Sequence, residues 1–200
     1  MTERNYVVFQ PARSQRPYMF LYPASWEPRE IVQDSFTEVF IAGPLGRDGT
    51  YTVSFSVRVS TAPAETTEGA VTDYLSRYRS ASSFWEIGQN HIRVARNPAI
   101  EVRIAYTMSL PLYSVKAKQT TIREDRVFVK QGDQLCELIY AAPAEDYETW
   151  LGAFHTLVDS FAFSEEPVAM APYRSMERVA PQPVREESPE YEAERDQGNE

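Results

Sequence analysis

A chain of 200 residues is long enough for one packed core of about 100–150 residues plus extensions, and short for two full domains. Its formal net charge of −9 is uneven: residues 164–200 hold ten acidic and four basic side chains, a net of −6 that leaves −3 for residues 1–163. With no basic patch to neutralise phosphates, nucleic acid and anionic membrane surfaces are excluded as expected partners. An apolar content of 42%, with twelve Tyr, ten Phe and three Trp, can build a sizeable core.

Residues 1–16 are polar and mixed in charge, and read as an N-terminal extension. They lack the basic-then-apolar order of an export signal, and no apolar run approaches the roughly 18 residues that span a bilayer. A cytoplasmic protein is expected from the chain as written, with export or lipid anchoring reserved for a longer precursor. Residues 17–23, Pro-Tyr-Met-Phe-Leu-Tyr-Pro, predict a first strand closed by a proline. Residues 24–28 then predict a turn, with Trp26 as an anchor in the core. A second strand is expected over residues 35–41, and Gly43, Pro44, Gly46, Asp48 and Gly49 supply hairpin turn chemistry.

The next strand has the clearest alternation. Tyr51, Val53, Phe55, Val57 and Val59 are interleaved with Thr52, Ser54, Ser56 and Arg58, so apolar groups point to one face and polar groups to the other. A sheet with one wetter face at this strand, and hence antiparallel pairing, is expected. Val71, Tyr74, Leu75 and Tyr78 then recur at helical spacing and predict a short amphipathic helix. Ile92 and Val94, followed by Ile100, Val102, Ile104 and Tyr106, return to a period of two, with Asn97 and Pro98 read as the turn between them. Pro111 interrupts the strand character of residues 110–119.

Glu124 and Asp125 read as solvated residues of a turn. Val127, Phe128 and Val129 and then residues 135–141 flank Gln131, Gly132 and Asp133, predicting a second hairpin with glycine where φ is positive. Pro143, Glu145 and Asp146 open a helix, the two acids favouring the positive end of its dipole. Its stripe of Tyr147, Trp150, Leu151, Phe154, Leu157, Val158 and Phe161 is wide enough to cover a sheet. From residue 164 on, five prolines and ten acids with few large apolar groups predict a disordered tail, in which Met170, Tyr173 and Met176 read as part of a solvated extension. The expected organisation is therefore an extension over residues 1–16, a domain over 17–163 and a tail over 164–200.

Chemistry-bearing motifs are sparse. Neither His91 nor His155 lies at metal-ligand spacing from another histidine or from Cys136, so both are expected at the surface or a boundary. Cys136 sits in an apolar run and reads as a buried free thiol. The sequence contains no nucleophile elbow, phosphate-binding loop or dinucleotide fingerprint. No catalytic, cofactor-binding or metal residue is assigned, and no cofactor is expected.

Three stretches carry a likeness to a known family. Phe20, Leu21, Tyr22, Pro23 and Trp26 resemble the opening aromatic, Tyr-Pro and Trp pattern of the PsbP family. Val53, Ser54, Phe55, Ser56 and Val57 are similar to its central strand, and residues 137–161, with Leu-Ile-Tyr-Ala-Ala-Pro and then Tyr147, Phe154, Ser160 and Phe161, are similar to its closing strand and helix. Over about residues 18–163, the resemblance implies an α+β fold with an antiparallel β-sheet of about six strands sandwiched by helices, and a role in binding a protein partner without chemistry. The expectation is a non-catalytic accessory or protein-binding module, with a chaperone or assembly factor as its leading form and the partner unidentified. Two alternatives stand beside it. One is a small-molecule or divalent-cation-binding protein using carboxylates, and the other is a hydrolase drawing on His91, Asp125 or His155 from separate loops.

Overall fold

In the computed structural model of the protein, residues 5–11, 18–61, 66–78, 83–112 and 115–163 are described. They form β1 (Tyr6–Phe9), β2 (Tyr18–Pro23), β3 (Glu27–Val32), β4 (Phe36–Leu45), β5 (Thr52–Thr61), α1 (Thr67–Tyr78), β6 (Phe84–Val94), β7 (Asn97–Leu110), β8 (Lys118–Gln131), β9 (Gln134–Pro143), α2 (Tyr147–Ser160) and β10 (Ala162–Phe163). The fold class is the α+β arrangement expected, an antiparallel sheet with a helix on each face. Among the described residues the large sheet has seven strands in the order β3-β4-β5-β9-β8-β7-β6, and a small sheet has the order β1-β2-β10. The expected tail from residue 164 lies outside the described residues. Tyr6–Phe9, within the segment read as an extension, pairs with β2.

Pairing registers explain why the two faces differ. Asp125, Val127 and Val129 of β8 stand opposite Tyr140, Leu138 and Cys136 of β9, and this face meets Ala153, Phe154 and Leu157 of α2 and Phe161 just beyond its end. The alternate residue Phe128, with Ile100, Val102 and Ile104 of β7, meets Ala70, Val71, Tyr74 and Leu75 of α1. The α1 and α2 stripes read from helical spacing are thus the ones that pack. Trp26 is buried at 4% exposure, its ring 4.4 Å from that of Phe55.

Several local expectations are corrected. Glu124 and Asp125 are not in a turn: they lie inside β8, at 6% and 1% exposure. The strand continues through four consecutive charged residues because neighbouring elements supply hydrogen-bond partners for Arg123, Glu124 and Arg126 and place Arg103 3.8 Å from Asp125. Ser54 and Ser56 are also buried, so β5, in mid-sheet between β4 and β9, has no wet face at those positions. The β6–β7 turn is formed by Ala95 and Arg96 at φ 48° and 68°, not by Asn97 and Pro98, and Asn97 already pairs with Val94. Both φ values are positive, as a two-residue hairpin turn of matching twist requires. The β8–β9 hairpin does use Gly132 at φ 61°, as expected.

Residues 24–28 also differ from expectation, because β3 begins at Glu27. As an edge strand exposing most of its side chains, it needs no apolar alternation and leaves little trace in sequence. Gly43, read as turn chemistry, instead lies inside β4, where the register with β5 shifts. A Cβ there would fall 2.6 Å from the Trp26 ring. Gly43→Ala is therefore expected to cost about 1–3 kcal/mol through overpacking, measured as a lower urea midpoint with unchanged m-value.

Candidate functional site

The α2 stripe turns polar along one side. Tyr147, Leu151 and His155 follow one another at intervals of four and line up along the helix, facing the part of the sheet where β7 and β8 carry charges. On β8, Asp125 stands opposite Arg103 of β7, and Glu101 lies two residues along β7 on the same face. Glu101, Asp125 and His155 each bring one nitrogen or oxygen ligand atom to this point, and the three atoms lie within 4.8 Å of one another. Glu101 and Asp125 are buried and His155 is exposed.

The two carboxylates differ in how they are held. Glu101 Oε2 accepts hydrogen bonds from Asn90 Nδ2 and from the Arg103 guanidinium, each at 2.9 Å. Neither oxygen of Asp125 accepts a hydrogen bond of ordinary geometry among the described residues. Arg103 Nε is 3.8 Å from Asp125 Oδ2, close enough for charge attraction but too long for a hydrogen bond. The Tyr140 hydroxyl donates at 2.6 Å to the Tyr147 carbonyl instead. Burial pushes the Asp125 carboxyl above its usual range, reinforced by Glu101. The Tyr147 hydroxyl, which faces the carboxyl without completing that geometry, and the Arg103 and Arg123 charges pull it back. Arg123 lies over the Tyr147 ring at 3.9 Å and donates to Glu148 at 3.1 Å.

On the opposite face, a second polar network is fully bonded. Arg126 donates through Nε to Glu124 at 2.8 Å and through Nη1 to Glu137 at 2.6 Å, and its guanidinium lies 4.3 Å from the centre of the Tyr74 ring. The Tyr74 hydroxyl donates to Glu124 at 2.9 Å. Burial, then Glu124, pushes the Tyr74 phenol far above its usual range and keeps it a neutral donor. The network floors a cavity of about 210 Å³ under α1, lined also by Arg58, Arg77 and Tyr78.

The sheet ends at β6. Trp85 and Ile87 flank Glu86 on this strand and are 51% and 50% exposed. Beside them Phe84 stacks on Tyr78 of α1, ring centres 5.6 Å apart. The outer edge of β6 pairs with no strand among the described residues, so its outward backbone groups are presented to whatever lies beside it.

No family model and no curated protein matches the chain. Among solved structures, cyanobacterial PsbP (CyanoP) from Synechocystis sp. PCC 6803 matches at a TM-score of 0.51 and 15% identity, covering 82% of this chain and 96% of that one. The fold is PsbP-like. At that identity the likeness is one of fold, and family membership does not follow from it. LpqN of Mycobacterium tuberculosis, described as involved in cell envelope biogenesis, matches at a TM-score of 0.49 and 10% identity, over 81% of this chain and 86% of that one. The Saccharomyces cerevisiae Ran-binding protein Mog1p matches at 0.46 and 10% identity, over 80% of this chain and 95% of that one.

Within the PsbP-like sheet the residues singled out in sequence have separate fates. His91 lies exposed on β6, opposite Ile100, and is not among the three clustered ligand atoms. His155 is exposed as expected, yet it joins the cluster with Asp125 and with Glu101, which sequence reasoning did not single out. The signal that could have found Glu101 is an acid at the centre of a strand whose neighbours Ile100 and Val102 are apolar. Cys136 is fully buried, and burial pushes its thiol up to about 12, with Glu137 adding to the effect. Among the described residues no helix is long and apolar enough to cross a membrane.

Proposed function

We propose that the chain is a bacterial member of the PsbP family acting as a non-catalytic accessory module, and that it binds an extended segment of a protein partner along β6. The observation that carries this reading is the β6 edge itself. It is an eleven-residue edge strand, longer than edges usually left bare, with two half-exposed large apolar side chains at one end. Strand addition to such an edge draws affinity from backbone hydrogen bonds and specificity from alternate side chains. Trp85 supplies the large, rigid contact typical of interface anchors. The likeness to CyanoP supports the fold on which this reading rests.

The test is cross-linked capture from extract of the source cells, with the wild-type chain beside Trp85→Glu and Ile87→Lys as baits. Both positions are half exposed, so the variants should retain wild-type circular dichroism and thermal midpoint. A partner held by the wild type should bind the variants about 30-fold more weakly, the effect of losing a hot spot of about 2 kcal/mol. Equal capture by all three baits, or no capture by the wild type, would reject the reading.

A further inference from the structure

We propose that Glu101, Asp125 and His155 form a binding site for a single divalent transition cation of the zinc type. The clustering of three ligand atoms within 4.8 Å is the first observation, and the state of Asp125 is the second and independent one. Its side chain is 1% exposed and aimed into the cluster, and among the described residues neither oxygen accepts a hydrogen bond of ordinary geometry, the Tyr147 hydroxyl facing it without completing one. Buried polar atoms in folded proteins nearly always have partners, and a carboxylate with none is costly to keep. A cation between Asp125 and its two neighbours removes that cost directly.

The chemistry of the donor set selects the ion. Two carboxylates and a neutral imidazole carry a charge of −2, which matches a dication, and the imidazole favours zinc-like ions over calcium and magnesium. Ligand atoms on tetrahedral zinc lie about 3.3 Å apart, given bonds of about 2.0–2.1 Å. The group must therefore close by up to about 1.5 Å, and His155 can do this because it is exposed at the open side of the cluster. Glu101 uses Oε2 for its hydrogen bonds from Asn90 and Arg103, which leaves Oε1 to bind and Asn90 to orient the carboxylate.

Two cations face the same point and compete with the ion. Arg123 is engaged with Glu148 and the Tyr147 ring. Arg103 has a side chain 38% exposed and a path to solvent once the ion replaces it beside Asp125.

The test is isothermal titration of the full chain with zinc chloride, alongside calcium and magnesium, and with cobalt(II) as a spectroscopic probe. One zinc should bind per chain, raise the thermal midpoint and outcompete the other two ions. Cobalt should show visible absorption of a low-coordinate site that zinc then displaces. His155→Ala changes an exposed residue and should fold normally, with affinity lowered at least about 10–100-fold. Asp125→Asn should lose the zinc-induced rise in midpoint, and His91→Ala should keep it. Wild-type affinity in His155→Ala, equal binding of zinc and calcium, or no titration of the wild type would each overturn the proposal.

Discussion

Arg126→Met is expected to lower stability by about 3–5 kcal/mol, the cost of stranding buried carboxylates when their shared cation is removed. Arg126 is the hub of the α1-face network: its side chain is 12% exposed, and those of its partners Glu124 and Glu137 are 8% and 12% exposed. The methionine fills similar volume, so little of the loss comes from a cavity. What remains is two buried acids on one face of the sheet, Glu124 with the Tyr74 hydroxyl and Glu137 with Arg58 of β5 standing opposite it. Arg126→Lys keeps the charge but not the forked geometry that reaches both acids together, and should fall between methionine and wild type. Urea unfolding at neutral pH measures all three. A loss below about 1 kcal/mol for the methionine would show that water reaches the acids and that the network does little to hold α1 to the sheet.

Phe154→Ala is expected to cost a similar amount, about 3–5 kcal/mol, by a different mechanism. Phe154 is fully buried, with ring centres 5.7 Å from Phe55 and 5.6 Å from Tyr140. Phe55 in turn meets Trp26, and Tyr140 stacks on Tyr147 at 5.1 Å. Truncation opens a cavity in the middle of this aromatic chain, where backbone on both sides is held by the seven-stranded sheet and relaxes little. Trp150 is only half buried and touches the same chain from its rim, edge-on to Trp26, so Trp150→Ala should cost less. Denaturant midpoints of the two variants rank them, and the reverse order would place the weight of the α2 contact at its rim instead of its centre.

The two faces of the sheet use charge in opposite ways. On the α1 side every acid of the network has a donor, and the result is a rigid support for the helix. On the α2 side Asp125 is as deeply buried but accepts no hydrogen bond of ordinary geometry among the described residues, and that contrast within one strand is what the cation proposal for Glu101, Asp125 and His155 rests on.

Much of the architecture was determined by the chain alone. Alternation in Val53, Phe55, Val57 and Val59 is enough to specify a strand with one wholly apolar face, because a period of two has only one geometric solution. Helical spacing in residues 71–78 and 147–161 specifies two apolar stripes that must be covered. Tertiary structure decided the rest. The run Arg123, Glu124, Asp125, Arg126 is indistinguishable from a solvated turn until β7, β9 and α2 place Arg103, Glu137 and Glu148 beside it. The cluster was equally hidden, since Glu101 and His155 are 54 residues apart in the chain and meet only because strand register and helix phase bring them to one point. Local spacing records which face a side chain takes, whereas the partners that other segments bring to a buried acid are set by strand register and helix packing.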